Sequence, residues 1–274
     1  MMPHFSAPDG TSLFFRDEGD GTPVLALSGL TRNATDFDYV APHLTGIRLI
    51  RMDYRGRGRS GWSGADTYTL QTEAADALAL LDHLGIRKTA VLGTSRGGLI
   101  AMGLAVGAKD RLTGVALVDI GPEIATPGLD AIRNYIGRNP GVATHDEATA
   151  MRASLMQGFH NVPENRWAEE VRKHYVETAD GLAINYDPAL RDATLRMADE
   201  PPVDLWPFFD ALAPLPTALI RGANSDLLAP ETAAEMRRRR PDMIFADIPD
   251  RGHVPFLDEP EALAALGQWI ARLP

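Results

Sequence analysis

The stretch VLGTSRGGLI, Val91 to Ile100, sets one serine between Gly93 and Gly97 at the end of an apolar run. A G-x-S-x-G pattern on a strand-to-helix turn displays the serine hydroxyl, because small neighbours let the backbone bend sharply there. That hydroxyl is a weak nucleophile until a base takes its proton, so Ser95 asks for a histidine downstream and for an acid to orient it. Seven histidines are available. His253 stands in the loop PDRGHVPFLDEP, between the last strand-like run and the last helical one, on the side of a parallel sheet where ligands gather. His4 lies in the N-terminal tail, His43 and His83 lie in helical patterns, and His145, His160 and His174 fall in a central segment without strand rhythm, all positions that suit surface or packing roles. For the acid, Asp226 in LIRGANSDLLAP follows a strand-like run and precedes His253 in the chain, and it is the first choice; Asp119, at the end of GVALVDIG, is the competitor. Asp250 and Asp258 read as turn or cap residues.

The elements that must hold these residues follow from the pattern of apolar positions. Strand-like runs at TPVLALS (22–28), IRLIRMD (47–53), TAVLGT (89–94), TGVALVDI (113–120), PTALIRG (216–222) and MIFADIP (243–249) alternate with helical patterns at 69–85, after Ser95, at 229–240 and at 259–273. That alternation predicts an α/β fold with a mostly parallel sheet and helices on its faces. SLFFRDEG reads as an antiparallel edge strand. Between Gly121 and Pro214 the rhythm stops, and proline-punctuated helical stretches such as LDAIRNYIG, EATAMRASLMQ and ENRWAEEVRKHYVETA take over. The expected organisation is a core of residues 1–121 and 214–274 with a helical insertion at 122–213.

Composition narrows the function. The chain has 274 residues, 45% of them hydrophobic, and no cysteine, which removes disulfides and thiol chemistry. Its net charge of −10 argues against a nucleic-acid partner. The cationic run RRRR, Arg237 to Arg240, sits before Pro241, where it suits a helix C-terminus. No apolar stretch is long enough to span a bilayer, and MMPHFSAPDG lacks the charged and apolar regions of a leader, so the expectation is a cytoplasmic, unexported protein. GRGRSG, Gly56 to Gly61, satisfies G-x-G-x-x-G, but WSGADT rather than a helix follows it, so it reads as a tight turn beside the serine and not as a dinucleotide loop. No P-loop or metal-ligand spacing is present.

LSGLTRN (27–33), MDYRGRGRSGWS (52–63), LGTSRGG (92–98), RGANSDLLAP (221–230) and RGHVPFLDEPEAL (251–263) occur in the order and spacing of the α/β-hydrolase superfamily, and the chain resembles its small esterase, lactonase and carbon–carbon hydrolase branch. The resemblance implies a mostly parallel eight-stranded α/β-hydrolase sheet, an inserted helical cap domain, no cofactor, and a triad of Ser95, Asp226 and His253. It also implies an oxyanion hole built from the backbone N–H groups of Arg96 and Leu30, although Ser28-Gly29 replaces the relatives' His-Gly and changes what braces that loop. The expected substrate is a small ester or lactone, with Trp167, Tyr186 and Trp206 of the insertion as pocket candidates. The alternatives are cleavage of a carbon–carbon bond in a diketone acid, with Arg96, Arg133 or Arg166 holding its carboxylate, and a ligand-binding receptor with little turnover. Packing and pairing are the first expectation for the Arg96 side chain. The expected assembly is a monomer or homodimer.

Overall fold

Valine, isoleucine and leucine crowd the strand-like runs, and on a pleated strand successive side chains face opposite sides, so both faces of the resulting sheet must be covered. A computed structural model describes residues 3–199 and 201–274. In chain order it forms β1 (His4–Ser6), β2 (Ser12–Glu18), β3 (Thr22–Leu27), β4 (Ile47–Met52), α1 (Leu70–His83), β5 (Thr89–Thr94), α2 (Arg96–Gly107) and β6 (Leu112–Val118). There follow α3 (Thr126–Tyr135), α4 (His145–Leu155), α5 (Glu164–His174), β7 (Tyr175–Thr178), β8 (Gly181–Ile184), α6 (Leu190–Asp199) and α7 (Trp206–Asp210). The chain then closes with β9 (Thr217–Gly222), α8 (Pro230–Arg239), β10 (Ile244–Ile248) and α9 (Pro260–Ile270).

Eight strands form one sheet in the order β1-β2-β4-β3-β5-β6-β9-β10, parallel from β4 to β10 and antiparallel through β2 and β1. Alternation along β3 shows how both faces are filled. Leu25 and Leu27 join Leu80, Leu104, Phe209 and Met236 on one face, while Val24 and Ala26 join Phe37, Leu266 and Trp269 on the other. All six residues of β5 and of β9 are buried, as strands covered on both sides must be.

Three features differ from the expectation. The antiparallel β2 is not the edge of the sheet, because β1 pairs outside it, with Phe5 opposite Leu13. β1 is three residues long with only Phe5 buried, too short to show a period. Within 122–213 the helix expected to run through ENRWAEEVRKHYVETA stops at His174, and β7 pairs with β8 as an antiparallel hairpin. Tyr175, Val176 and Thr178 favour strand over helix. Finally, Phe209 and Leu212 at the end of the insertion pack into the main core.

The insertion is fastened to the sheet ends in two places. On one side the Gly58 N–H donates to the Asn185 carbonyl (3.0 Å), the Asp187 N–H to the Gly56 carbonyl (2.7 Å), and the Tyr68 hydroxyl to the Asp187 carboxylate (2.5 Å). On the other the His160 N–H donates to the Asp250 carbonyl (3.0 Å), and Arg166 pairs with Asp258 (2.5 Å).

Trp269 is fully buried under β6 and β9, and its indole N–H donates to the Pro216 carbonyl at 3.1 Å. Trp269→Ala removes that bond and opens a large cavity, so urea unfolding is expected to read a loss of about 3–5 kcal/mol.

Candidate active site

β5 ends at Thr94 and α2 begins at Arg96, so the whole reversal falls on Ser95, whose φ of 50° and ψ of −113° lie outside the regions an L-residue prefers. The flanking glycines make the bend sterically feasible. A Cβ on Gly93 would lie 2.6 Å from the Gly97 carbonyl carbon, and one on Gly97 would lie 2.1 Å from the Leu27 carbonyl oxygen. The strained residue is held by its own backbone bonds: its N–H donates to the Val118 carbonyl (2.9 Å), and its carbonyl accepts from the N–H groups of Gly98 (2.9 Å) and Leu99 (3.2 Å).

His253 Nε2 stands 3.0 Å from the Ser95 hydroxyl oxygen, and its Nδ1 stands 2.7 Å from a carboxylate. That carboxylate belongs to Asp119 and not to Asp226. Asp119 follows the last residue of β6, is fully buried, and accepts from the Gly222 N–H (2.8 Å) and the Ser225 hydroxyl (2.6 Å) as well as from the histidine. Asp226 is solvent-exposed, and it is its backbone carbonyl that is used, accepting from the Gly128 N–H at 3.0 Å. The physical reason for the correction is that β6 and β9 are neighbours, so the loops after both reach the same place. The end of β9 and the turn after it contribute donors, Gly222 and Ser225, to an acid that follows β6.

Arg96 and Leu30 both have backbone N–H groups for which the described hydrogen bonds supply no acceptor, as an anion-receiving pair requires. The Gly97 N–H and the Tyr54 hydroxyl both donate to the Ser28 carbonyl, at 3.1 and 3.2 Å, which ties the Ser28-Gly29-Leu30 turn to the start of α2. Arg57 braces the turn from the other side: its Nε donates to the Leu30 carbonyl at 3.0 Å. Arg57 in turn pairs with Glu73 at 2.8 Å, and Glu73 pairs with Arg96 at 2.5 Å. The Arg96 guanidinium, which also donates to the Tyr68 carbonyl (3.1 Å), is therefore committed to packing and pairing. Sequence reasoning missed Arg57 and Glu73. The legible signal was a carboxylate on the apolar face of α1, at helical spacing from Ala77 and Leu80, where only a buried partner can balance it.

A cleft beside Ser95 and His253 is lined by their neighbours Thr94 and Val254 together with Arg32, Met156, Phe159 and Trp167. Of the aromatic candidates, Trp167 stands here, with Phe159 and Phe256 ring centroids 5.6 and 5.9 Å away. Tyr186 instead packs with Tyr68, Ile136 and Leu30, its hydroxyl accepting from the Gly137 N–H at 3.0 Å. Trp206 packs on Phe209, donates to Glu123 (2.9 Å) and carries Arg239 over its ring, in a packing role. Arg133 pairs with Asp130, and Arg166 with Asp258. Among the described residues no helix is long and apolar enough to cross a membrane.

Residues 24–266 match the model of the Alpha/beta hydrolase family. The chain belongs to that family. It is 34% identical to a 3-hydroxybutyrate-oligomer hydrolase of Cupriavidus necator, in an alignment of 265 positions that covers 93% of this chain and 90% of the other. It is 29% identical to the N-formylmaleamate deformylase of Pseudomonas putida, over 94% of this chain and 91% of that protein. The crystal structure of an alpha/beta hydrolase from Novosphingobium aromaticivorans superposes with a TM-score of 0.92 and 36% identity, covering 100% of this chain and 98% of that one.

Among alpha/beta hydrolases as in any fold, removing the shared partner of two buried cations leaves both uncompensated. Glu73→Ala is therefore expected to cost about 3–5 kcal/mol in urea unfolding, whereas the same change at Glu235, whose ion pairs with Arg238 and Arg239 lie at the surface, is expected to leave the unfolding midpoint close to that of the wild type.

Proposed function

We propose that this protein is a serine hydrolase of carboxylic esters in which Ser95 is the nucleophile, His253 the general base and acid, and Asp119 the orienting carboxylate. The observation that carries the reading is the continuous hydrogen-bonded line from Ser95 through His253 to a buried Asp119. In the first half-reaction His253 Nε2 takes the Ser95 proton as Oγ bonds to the ester carbonyl carbon, and the carbonyl oxygen becomes an oxyanion facing the N–H groups of Arg96 and Leu30. Asp119, acceptor of the Nδ1–H, stabilises the imidazolium. The imidazolium then protonates the departing alcohol, leaving an acyl group on Ser95. In the second half-reaction His253 takes a proton from water, the resulting hydroxide attacks the acyl carbon, and the acid leaves as Ser95 regains its proton.

The likeness to a 3-hydroxybutyrate-oligomer hydrolase makes short linear esters of hydroxy acids the first substrates for this chain. A lactone would pass through the same steps, its alcohol remaining tethered.

Hydrolysis of p-nitrophenyl butyrate and of the linear 3-hydroxybutyrate dimer tests the proposal. Ser95→Ala is expected to lower kcat at least about 10³-fold on both. Near-wild-type turnover in that variant rules the mechanism out. Asp119→Asn and Asp226→Asn, assayed side by side, separate the two acids: the first is expected to lose about 10⁴-fold in kcat and the second less than about threefold. The reverse order returns the role to Asp226.

A further inference from the structure

The ester chemistry leaves unused a dense charged cluster beside the nucleophile. A Cβ built on Gly29 would lie 3.3 Å from Arg32 Cγ and 3.8 Å from Ser95 Cβ, so the stem of Arg32 passes directly by the serine. The Arg32 guanidinium reaches Glu170 at 3.1 Å and Asp36 at 3.7 Å and lies against the His174 ring, whose Nε2 is 3.2 Å from Asp36. Lys173 sits 3.9 Å from Glu170 with its ammonium 3.2 Å from the centroid of the Tyr39 ring. Burial, with the Arg32 charge adding to it, holds the His174 ring well below its ordinary range and keeps it neutral. Both carboxylates of the cluster are thus engaged by Arg32, Lys173 and His174.

Arg152, on α4, faces the same cluster and has no partner in it. Its Nε is sealed from solvent without a hydrogen-bond acceptor, and no carboxylate among the described residues pairs with its guanidinium. Burial and the neighbouring Arg32 charge both disfavour its protonated form. Lys173 Nζ is likewise sealed from solvent without a hydrogen-bond acceptor, Glu170 lying 3.9 Å away, so the cluster holds two cations with a nitrogen that no carboxylate receives. One turn on from Arg152, at the end of α4, Met156 lines the cleft. A sealed nitrogen of a cation left without an acceptor is costly, and an anion that arrives with the substrate removes that cost.

We propose that Arg152, in the charged cluster that Arg32 joins to the cleft beside Ser95, binds a free carboxylate on the substrate and makes this site selective for esters that carry an acid group, such as the chain end of a hydroxy-acid oligomer. The proposal rests on the reading of Ser95 as an ester-cleaving nucleophile. It differs from the arginines considered from sequence, Arg96, Arg133 and Arg166, because each of those has a carboxylate partner inside the protein.

Mono-p-nitrophenyl glutarate and p-nitrophenyl valerate share the chromophore and the five-carbon acyl chain and differ in the terminal acid. The wild type is expected to prefer the glutarate in kcat/KM, and Arg152→Met to lower that preference about 10- to 100-fold through KM, with Arg152→Lys in between. Thermal unfolding separates binding from scaffolding: a cation without a carboxylate partner, replaced by an apolar side chain of similar length, leaves Tm equal or higher, and free glutarate raises the Tm of the wild type but not of Arg152→Met. A preference that survives in Arg152→Met, or equal loss on both esters with a lowered Tm, overturns the proposal. A wild type that cleaves neither ester while glutarate still raises its Tm overturns the hydrolase reading and leaves the carboxylate site standing.

Discussion

Glu73 has no exposed surface, and its two oxygens face two guanidiniums, Arg57 on the glycine-rich loop and Arg96 at the first position of the helix after the serine. In water such a pairing contributes little, but sealed from solvent each partner is obligatory for the other two. From this carboxylate the geometry spreads outward. Arg96 fixes the start of α2 and so the amide that follows Ser95, while Arg57 passes the constraint to the Leu30 carbonyl and so to the orientation of the next peptide. The two N–H groups expected to receive an oxyanion come from segments far apart in sequence, and a single buried acid holds both in register. This chain has Ser28 before the glycine of that turn, and Arg57 together with the Tyr54 hydroxyl supplies the bracing.

Much of this was legible in the sequence because it follows from local periodicity and small-residue sterics. The six parallel strands lie where the apolar runs put them, within one or two residues, and Ser95 stands on its bend because nothing larger than glycine fits at 93 or 97. The acid was not legible in the same way. Asp119 and Asp226 both follow strands, and the strands adjoin; what separates them is that Asp119 collects two donors from the end of β9 and the turn after it and a third from His253, while Asp226 turns to solvent. That is a fact of tertiary approach, invisible to spacing. The hairpin β7–β8 escaped for a related reason, since it follows α5 without a break and its helical charges run on into the strand.

The insertion brings Met156, Phe159 and Trp167 to a strand-end site that the sheet alone leaves open. Trp167 and Glu170 come from α5 and Met156 from the end of α4, and they meet Arg32 from the turn that follows β3, so the walls of the cleft are divided between the insertion and the core. The hydrogen-bonded line at Ser95 and the charged cluster around Arg32 are therefore held by different parts of the chain.

The two attachments of the insertion carry a thermodynamic consequence. A roof hinged at one edge would lose conformational freedom each time it closed on a ligand, and that loss would weaken binding. Here Asn185 and Asp187 are bonded to the glycine-rich loop, while His160 and Arg166 are bonded around the histidine loop, so the roof is held on both sides before any ligand arrives. The entropy of ordering it is spent once, at folding, and each binding event draws instead on desolvation and on the fit of the ligand to a preformed wall.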